Sequence, residues 1–227
     1  MINNGQKYIV LDVDDVIVDM SSHWMNLAKE DACIKPYVDK VVGTTPLAEA
    51  LVLRRAGYMQ DWMQLPDDLR VVFDFIYRSN RNFYDDLQPT QFGRNILLAL
   101  SRPGYVGHVH FITHNFSNDD PSVDSKQRFL ETHFGAYMDR CTIHQTDASV
   151  SKSKIMERVC PEPHMFADDQ MKNVVDVLLN DNVRPHEIAI PEGNFNYPPA
   201  DNVIKLATLR RIQLNYYNPL ATVAVTA

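Results

Sequence analysis

The sequence predicts an α/β fold: a mainly parallel sheet, interrupted early by an inserted helical subdomain. Two observations carry the prediction. Short apolar, β-rich runs alternate with amphipathic helical periods over the second half of the chain. The first such run is separated from the second by about 90 residues whose pattern is helical only. Alternation of this kind implies strands laid parallel, with helices as crossovers.

Taken in order, residues 7–13 (KYIVLDV) read as a short buried strand, and residues 106–113 (VGHVHFIT) as the second. Residues 139–145 (DRCTIHQ), 163–168 (PHMFAD) and 186–191 (HEIAIP) are three further, weaker candidates. Helices fall between them. TQFGRNILLALSR places Phe92, Ile96, Leu97 and Leu100 on one face; VDSKQRFLETHFG offers Asp124 as an N-cap and Gly135 as a stop. QMKNVVDVLLN repeats an apolar face through Met171, Val174, Val175 and Leu178.

The insertion reads as SSHWMNLAKE, then PLAEALVLRRAGYM, then PDDLRVVFDFIYRSN with Pro66 near a helix start. Too long for a simple crossover, it is expected to form a helical subdomain over residues 20–88, with 1–19 and 89–205 as the core and 206–227 as a C-terminal tail. An insertion at that point would overlie the carboxyl ends of the strands, where α/β proteins bind ligands. The last ten residues, NPLATVAVTA, fit either an edge strand or a disordered end.

Composition narrows the function. Hydrophobic residues make up 45 % of the 227 and charged residues 22 %, enough for a substantial core. The net charge of −7 suits a cation or a single phosphate, and is a poor match to a long nucleic-acid backbone. Three scattered cysteines, Cys33, Cys141 and Cys160, show no C-x-x-C spacing and point to a reducing compartment. With no signal-peptide pattern at the start and no run long enough to cross a bilayer, the expectation is a cytoplasmic protein that does not engage membranes.

The chemistry gathers at strand ends. The first strand ends in Asp12, Asp14 and Asp15, with Asp19 close behind. In an extended segment Asp12 and Asp14 would face the same way, and paired carboxylates repel unless a cation or a shared proton relieves them. A second pair, Asp168 and Asp169, ends a later apolar run just before a helix. If those two strands are parallel in one sheet, both pairs lie at the same edge and make a site for a hard divalent ion such as Mg2+. Asp15 reads better as a turn residue and Asp19 as a helix cap. Thr113, followed by His114 and Asn115, ends the second strand where a hydroxyl can hold a phosphate oxygen. Lys152 opens a short helix, a poor place for a cation unless an anion lies near. His108 and His110 share a strand face but lack an acidic or cysteine partner at ligand spacing, so they are not read as a metal site.

These motifs, "IVLDVDDV", "HVHFIT", "SKSK" and "HMFADD", appear in the order used by the haloacid dehalogenase (HAD) superfamily, which the chain resembles over about residues 7–180. "ADDQMKNV" is close to that superfamily's DDxxxNV form. Within it, "DVDDVIVDM", "FYDDLQPTQFGRNILLAL" and "SKQRFLETHFG" most resemble the 5'(3')-deoxyribonucleotidases. Asp15 stands where that family usually has Gly, and His114 where it has Ser. The motif lysine is Lys152 or Lys154, with Lys152 preferred because Ile155 then takes the expected apolar place.

The resemblance implies a Rossmann-like core with a helical cap and a Mg2+-dependent phosphomonoesterase. Asp12 would be the nucleophile and Asp14 the general acid–base. Thr113, His114 and Lys152 would bind phosphate, while Asp12, Asp14 (through its carbonyl), Asp168 and Asp169 would serve the metal. A (deoxy)nucleoside monophosphate is the expected substrate. Trp24, Tyr58 and Trp62 are candidates for stacking on a base, although burial in the subdomain's own core is the commoner role of such residues. A polynucleotide 3'-phosphatase, another small phosphate-ester phosphatase and a catalytically silent phosphate-binding protein are the alternatives.

Overall fold

In the computed structural model, residues 7–45, 59–104, 106–115, 121–147, 149–191 and 201–217 are described. The strands are β1 (Lys7–Leu11), β2 (Val106–Asn115), β3 (Cys141–Asp147), β4 (Met165–Ala167), β5 (Glu187–Pro191) and β6 (Gln213–Tyr217). They form one sheet in the order β3-β2-β1-β4-β5-β6, and every neighbouring pair is parallel. The helices are α1 (Met20–Ala28), α2 (Lys35–Val42), α3 (Met59–Trp62), α4 (Asp67–Arg78), α5 (Gln91–Ser101), α6 (Val123–Phe134), α7 (Lys152–Val159), α8 (Met171–Leu179) and α9 (Asp201–Leu209). A 3₁₀ turn, Gly135–Arg140, leads from α6 into β3.

Period-two alternation sorts the strand side chains into two cores. Ile9 and Leu11, Val109 and Phe111, Ala167 and Ala189 face one side, with α5, α6 and the helices that follow β1. Val10, Ile112, Phe166, Ile188 and Ile190 face the other, against α7, α8 and α9. Both faces are covered, which is why these strands read as near-continuous apolar runs.

The cluster on the first side runs on without a break into the inserted helices. There Trp24 of α1 stacks on Phe73 of α4 at 4.5 Å between ring centres, and its indole N–H donates to the Phe73 carbonyl at 2.9 Å. Trp24 is therefore core, out of reach of a substrate base. Tyr58 and most of the expected helix at 46–59 lie outside the described residues. α2 is an element the sequence pattern did not suggest.

Several boundaries differ from expectation. β1 stops at Leu11; Asp12 extends its ladder by one hydrogen bond, and Asp14 lies beyond it in an isolated bridge with Val18. Asp124 lies inside the first turn of α6, and the N-cap position belongs to Ser122, whose hydroxyl pairs with Tyr77 Oη at 2.6 Å. β3 begins two residues later than its pattern suggested, because the preceding turn holds residues 139 and 140. Residues 206–217, assigned to a tail, instead complete α9 and form β6. Residues 218–227 lie outside the described residues.

The turn after β1 is locked from below by the start of α5. Thr90 donates its N–H to the Ile17 carbonyl at 2.7 Å and its hydroxyl to the Val16 carbonyl at 2.6 Å. A Cβ on Gly93 would stand 2.8 Å from the Ile17 carbonyl oxygen, so only glycine lets the helix approach this closely. Asp19 caps α1 by accepting from the Ser22 N–H at 3.0 Å. Asp15 adopts a left-handed φ of 57°, and its carboxylate accepts from the N–H and the hydroxyl of Ser21. Both behave as the structural residues their context suggested.

Candidate active site

The carboxyl ends of β1, β2 and β4 converge because these strands are adjacent and parallel. Asp12 follows β1 and Asp168 follows β4, and the two strands pair directly through Leu11 and Ala167. The Asp12 N–H donates to the Ala167 carbonyl at 2.8 Å, continuing the ladder one residue past the strand. Asp12, Asp168 and Asp169 are all buried, and each offers a carboxylate oxygen within 4.8 Å of the others.

Lys152 sits among them. It is 1 % exposed, and its ammonium lies 2.8 Å from Asp12 Oδ2 and 2.8 Å from Asp168 Oδ2. Burial opposes its charge, but Asp12 and Asp168 outweigh burial and raise its pKa above lysine's ordinary value. Lys154 is exposed on the other side of the same helix turn. Of the two, Lys152 is the one that meets the carboxylates.

Asp168 is the best-held of the acids. It accepts from the Gln170 N–H at 2.8 Å and from the Asn173 side-chain amide at 2.9 Å. Asp12 accepts from the Val13 N–H at 2.7 Å; burial raises its pKa, and Lys152 only partly offsets that. Asp169 is different. Its Oδ1 is buried without a hydrogen-bond partner among the described residues, and burial, Asp12 and Asp168 together raise its pKa well above the usual carboxylate value. When all three carboxylates are ionised, the charge of Lys152 does not balance them, and net negative charge is left among buried groups. An all-oxygen donor set with one orphaned carboxylate oxygen fits a hard divalent cation such as Mg2+.

Asp14 turns elsewhere. Its Oδ2 lies 2.7 Å from Lys126 Nζ, and its Oδ1 accepts from Tyr84 Oη at 2.7 Å. Lys126, 1 % exposed on α6, also donates to Thr113 Oγ1 at 3.0 Å. Tyr84 hands on to Tyr77 at 3.1 Å, and Tyr77 to Ser122. A polar chain therefore links the end of β1, the end of β2, α4 and α6. Each aspartate is held by its own lysine: Asp12 by Lys152 and Asp14 by Lys126. Asp14's carboxylate lies outside the three-carboxylate cluster.

Thr113 is fully buried at the end of β2, and because its oxygen accepts from Lys126 its own hydroxyl hydrogen is free to donate. His114 directs its Nε2 to the Val150 carbonyl at 2.9 Å. A carbonyl only accepts, so that nitrogen carries the hydrogen. Burial first, and Lys152 next, lower the His114 pKa and favour the neutral ring, which then has no N–H left for a phosphate. His108 and His110 lie lower on β2: His108 Nε2 meets Thr142 Oγ1 at 2.7 Å, and His110 Nδ1 meets His144 Nε2 at 3.2 Å.

Lys126, Tyr84 and Asn173 were not singled out from the sequence. A lysine in a helical stretch and a tyrosine in a turn carry no signal of their own, and only the arrival of α6 against the ends of β1 and β2 buries Lys126. Asn173 had a signal, being the Asn of "ADDQMKNV".

No family model matches the chain, and no curated protein matches it. Solved structures do. A haloacid dehalogenase-like family hydrolase from Streptococcus pneumoniae superposes with a TM-score of 0.50 at 12 % identity, covering 95 % of this chain and 96 % of that one. A candidate phosphatase from Clostridium difficile superposes with a TM-score of 0.52 at 9 % identity, again covering 95 % and 96 %. The fold is that of the haloacid dehalogenase-like hydrolases. At these identities the likeness concerns the backbone's path and carries no substrate. Among the described residues, no helix is long and apolar enough to cross a membrane.

Proposed function

We propose that the protein is a phosphomonoester hydrolase that acts through an aspartyl phosphate, with (deoxy)nucleoside monophosphates as its substrates. One arrangement carries the reading. Asp12 is held by Lys152 beside Asp168 and the unpartnered Asp169, while Asp14 is held separately against Thr113 by Lys126. The fold shared with a hydrolase and a candidate phosphatase supports it. The nucleotide assignment rests on the likeness of "DVDDVIVDM", "FYDDLQP" and "SKQRFLETHFG" to the deoxyribonucleotidases.

In this reading an Asp12 oxygen attacks phosphorus, and the bond from phosphorus to the leaving oxygen breaks. Asp14, oriented by Lys126 and Tyr84, supplies the leaving oxygen with a proton. Asp14 then takes a proton from water as that water attacks the aspartyl phosphate, which returns Asp12 and releases inorganic phosphate. Thr113 donates to a non-bridging oxygen, and Lys152 balances charge beside the nucleophile. The ring N–H of His114 is held by the Val150 carbonyl. Asp12, Asp168 and Asp169 would hold Mg2+, with Asp14 contributing through its carbonyl; the ion supplies charge neutralisation that lets a carboxylate approach a phosphate dianion. Helices α1 to α4 act as a cap that excludes water from the covalent step.

The test is phosphate release from 5'- and 3'-nucleoside monophosphates, sugar phosphates and a 3'-phosphorylated oligonucleotide, with Mg2+, with chelator and with Asp12→Asn. Mg2+-dependent release from mononucleotides, lost in Asp12→Asn, is the expected result. Release that survives Asp12→Asn overturns the covalent mechanism, and a preference for another ester overturns the nucleotide assignment.

A further inference from the structure

Tyr77 belongs to α4, one of the inserted helices, and Tyr84 to the turn that leads from α4 towards α5. Both are buried. Their hydroxyls stand 3.1 Å apart; Tyr84 Oη reaches Asp14 Oδ1 at 2.7 Å, and Tyr77 Oη reaches Ser122 Oγ at 2.6 Å. A phenol has one hydrogen, so the directions of these bonds follow from Asp14. The carboxylate, ion-paired with Lys126, only accepts, so Tyr84 donates to it. With the Tyr84 hydrogen committed, the bond between the phenols is donated by Tyr77. By the same step Ser122 donates to Tyr77. Each phenol thus gives one hydrogen bond and accepts another, and all three hydrogens run toward Asp14. Burial and Asp14 raise the Tyr84 pKa well above a phenol's ordinary value, which keeps it a donor at neutral pH.

Aromatic packing holds Tyr77 in this position. Its ring meets Phe83 edge-on at 4.6 Å and lies 5.0 Å from Trp24 of α1. One end of the chain is therefore built into the core of the inserted helices, and the other ends on Asp14. Hydrogen bonds in such a chain polarise one another: a hydroxyl that accepts becomes a better donor. We propose that Tyr77 is a positioning residue for Asp14: by donating to Tyr84 it strengthens and aims the hydrogen bond that fixes the Asp14 carboxylate. The inserted helices then serve proton transfer as well as covering the site. The inference rests on the reading of Asp14 as general acid–base and deepens it with a residue from α4. Tyr77 itself is 1 % exposed and acts only through Tyr84.

The test is a double-mutant cycle on kcat in the full chain, with Tyr77→Phe, Tyr84→Phe and the two combined. Each substitution keeps the ring and removes one oxygen. Every variant is assayed on p-nitrophenyl phosphate and on the nucleoside or sugar phosphate that turns over fastest. On the latter, Tyr84→Phe should lower kcat about tenfold, the loss of one hydrogen bond to a charged group. Tyr77→Phe should lower it about threefold, with KM unchanged. The double variant should lose no more than Tyr84→Phe alone, because Tyr77 then has nothing to act through. On p-nitrophenyl phosphate, whose leaving group scarcely needs a proton, both losses should be small. A Tyr77→Phe loss that is absent, equal on both esters, or multiplied in the double variant overturns the inference while Asp14 keeps its role. Undiminished kcat on the nucleoside or sugar phosphate in Asp14→Asn, or no release from any ester, overturns the general-acid reading and this inference together.

Discussion

Asp14 and Lys126 are 112 residues apart in sequence, and their side chains meet at 2.7 Å. Lys126 is almost wholly buried and Asp14 partly exposed, so the pair stands at the boundary between the protein interior and the mouth of the site. Removing the lysine leaves Asp14 some access to water. Lys126→Met is therefore expected to lower stability by about 1–3 kcal/mol, less than breaking a fully enclosed pair. Its main effect should be on turnover, through the orientation of Asp14. Phosphate esters with poor leaving groups should lose about a hundredfold in kcat, and p-nitrophenyl phosphate, which scarcely needs a proton on departure, far less. Equal losses on both substrates would show that Lys126 does not act through Asp14.

Asp169 carries a buried oxygen with no partner among the described residues, beside two other carboxylates. Its raised pKa means that, without a cation, its ionisation opposes folding, so this contribution falls as pH rises above the ordinary carboxylate range. Asp169→Asn should then melt higher than the unaltered protein in chelator at pH 7.5, by about 2–4 °C for each kcal/mol relieved. Mg2+ should raise the melting temperature of the unaltered protein and raise that of the variant much less. Calorimetry with and without chelator reads both.

At Asp15 the backbone is left-handed and the side chain holds Ser21, which is itself buried. The two demands separate by substitution. Asp15→Asn meets both and should cost less than about 1 kcal/mol; Asp15→Gly suits the backbone but loses the hydrogen bonds, at about 1–2 kcal/mol. Asp15→Ala fails on both counts and should cost about 2–4 kcal/mol. Urea unfolding midpoints give the order directly, and an alanine variant as stable as the asparagine one would remove the argument.

Burial, with His108 and His144 nearby, lowers the His110 pKa from 6.5 to about 4. Between those values the unfolded chain binds the proton and the folded one does not. The contribution is whole above pH 6.5 and is lost as pH falls toward 4. Because the ring is only half-buried, the effect is on the order of 1 kcal/mol. His110→Gln should flatten that part of the stability–pH curve, while leaving the acid titration of the carboxylates in place.

The α/β class and the strand-end segments were legible because each depends on local pattern. Period-two runs, helical periods and clustered acids survive in one dimension. Asp12, Asp168 and Lys152 could be named from that pattern, and the adjacency of β1 and β4 then brought them together. What the pattern could not assign was partnership. Lys126 is an unremarked helical lysine until α6 packs across the ends of β1 and β2. Tyr217 is an aromatic near the end of the chain until β6 joins β5 and its ring lies on Phe92. Asp12 and Asp14, neighbours but one in sequence, take different lysines, because α7 brings Lys152 to one and α6 brings Lys126 to the other. Local hydrophobic period determined the elements and the residues poised at their ends. Long-range packing, which buries a polar side chain only where a distant partner meets it, decided which of those residues form the site.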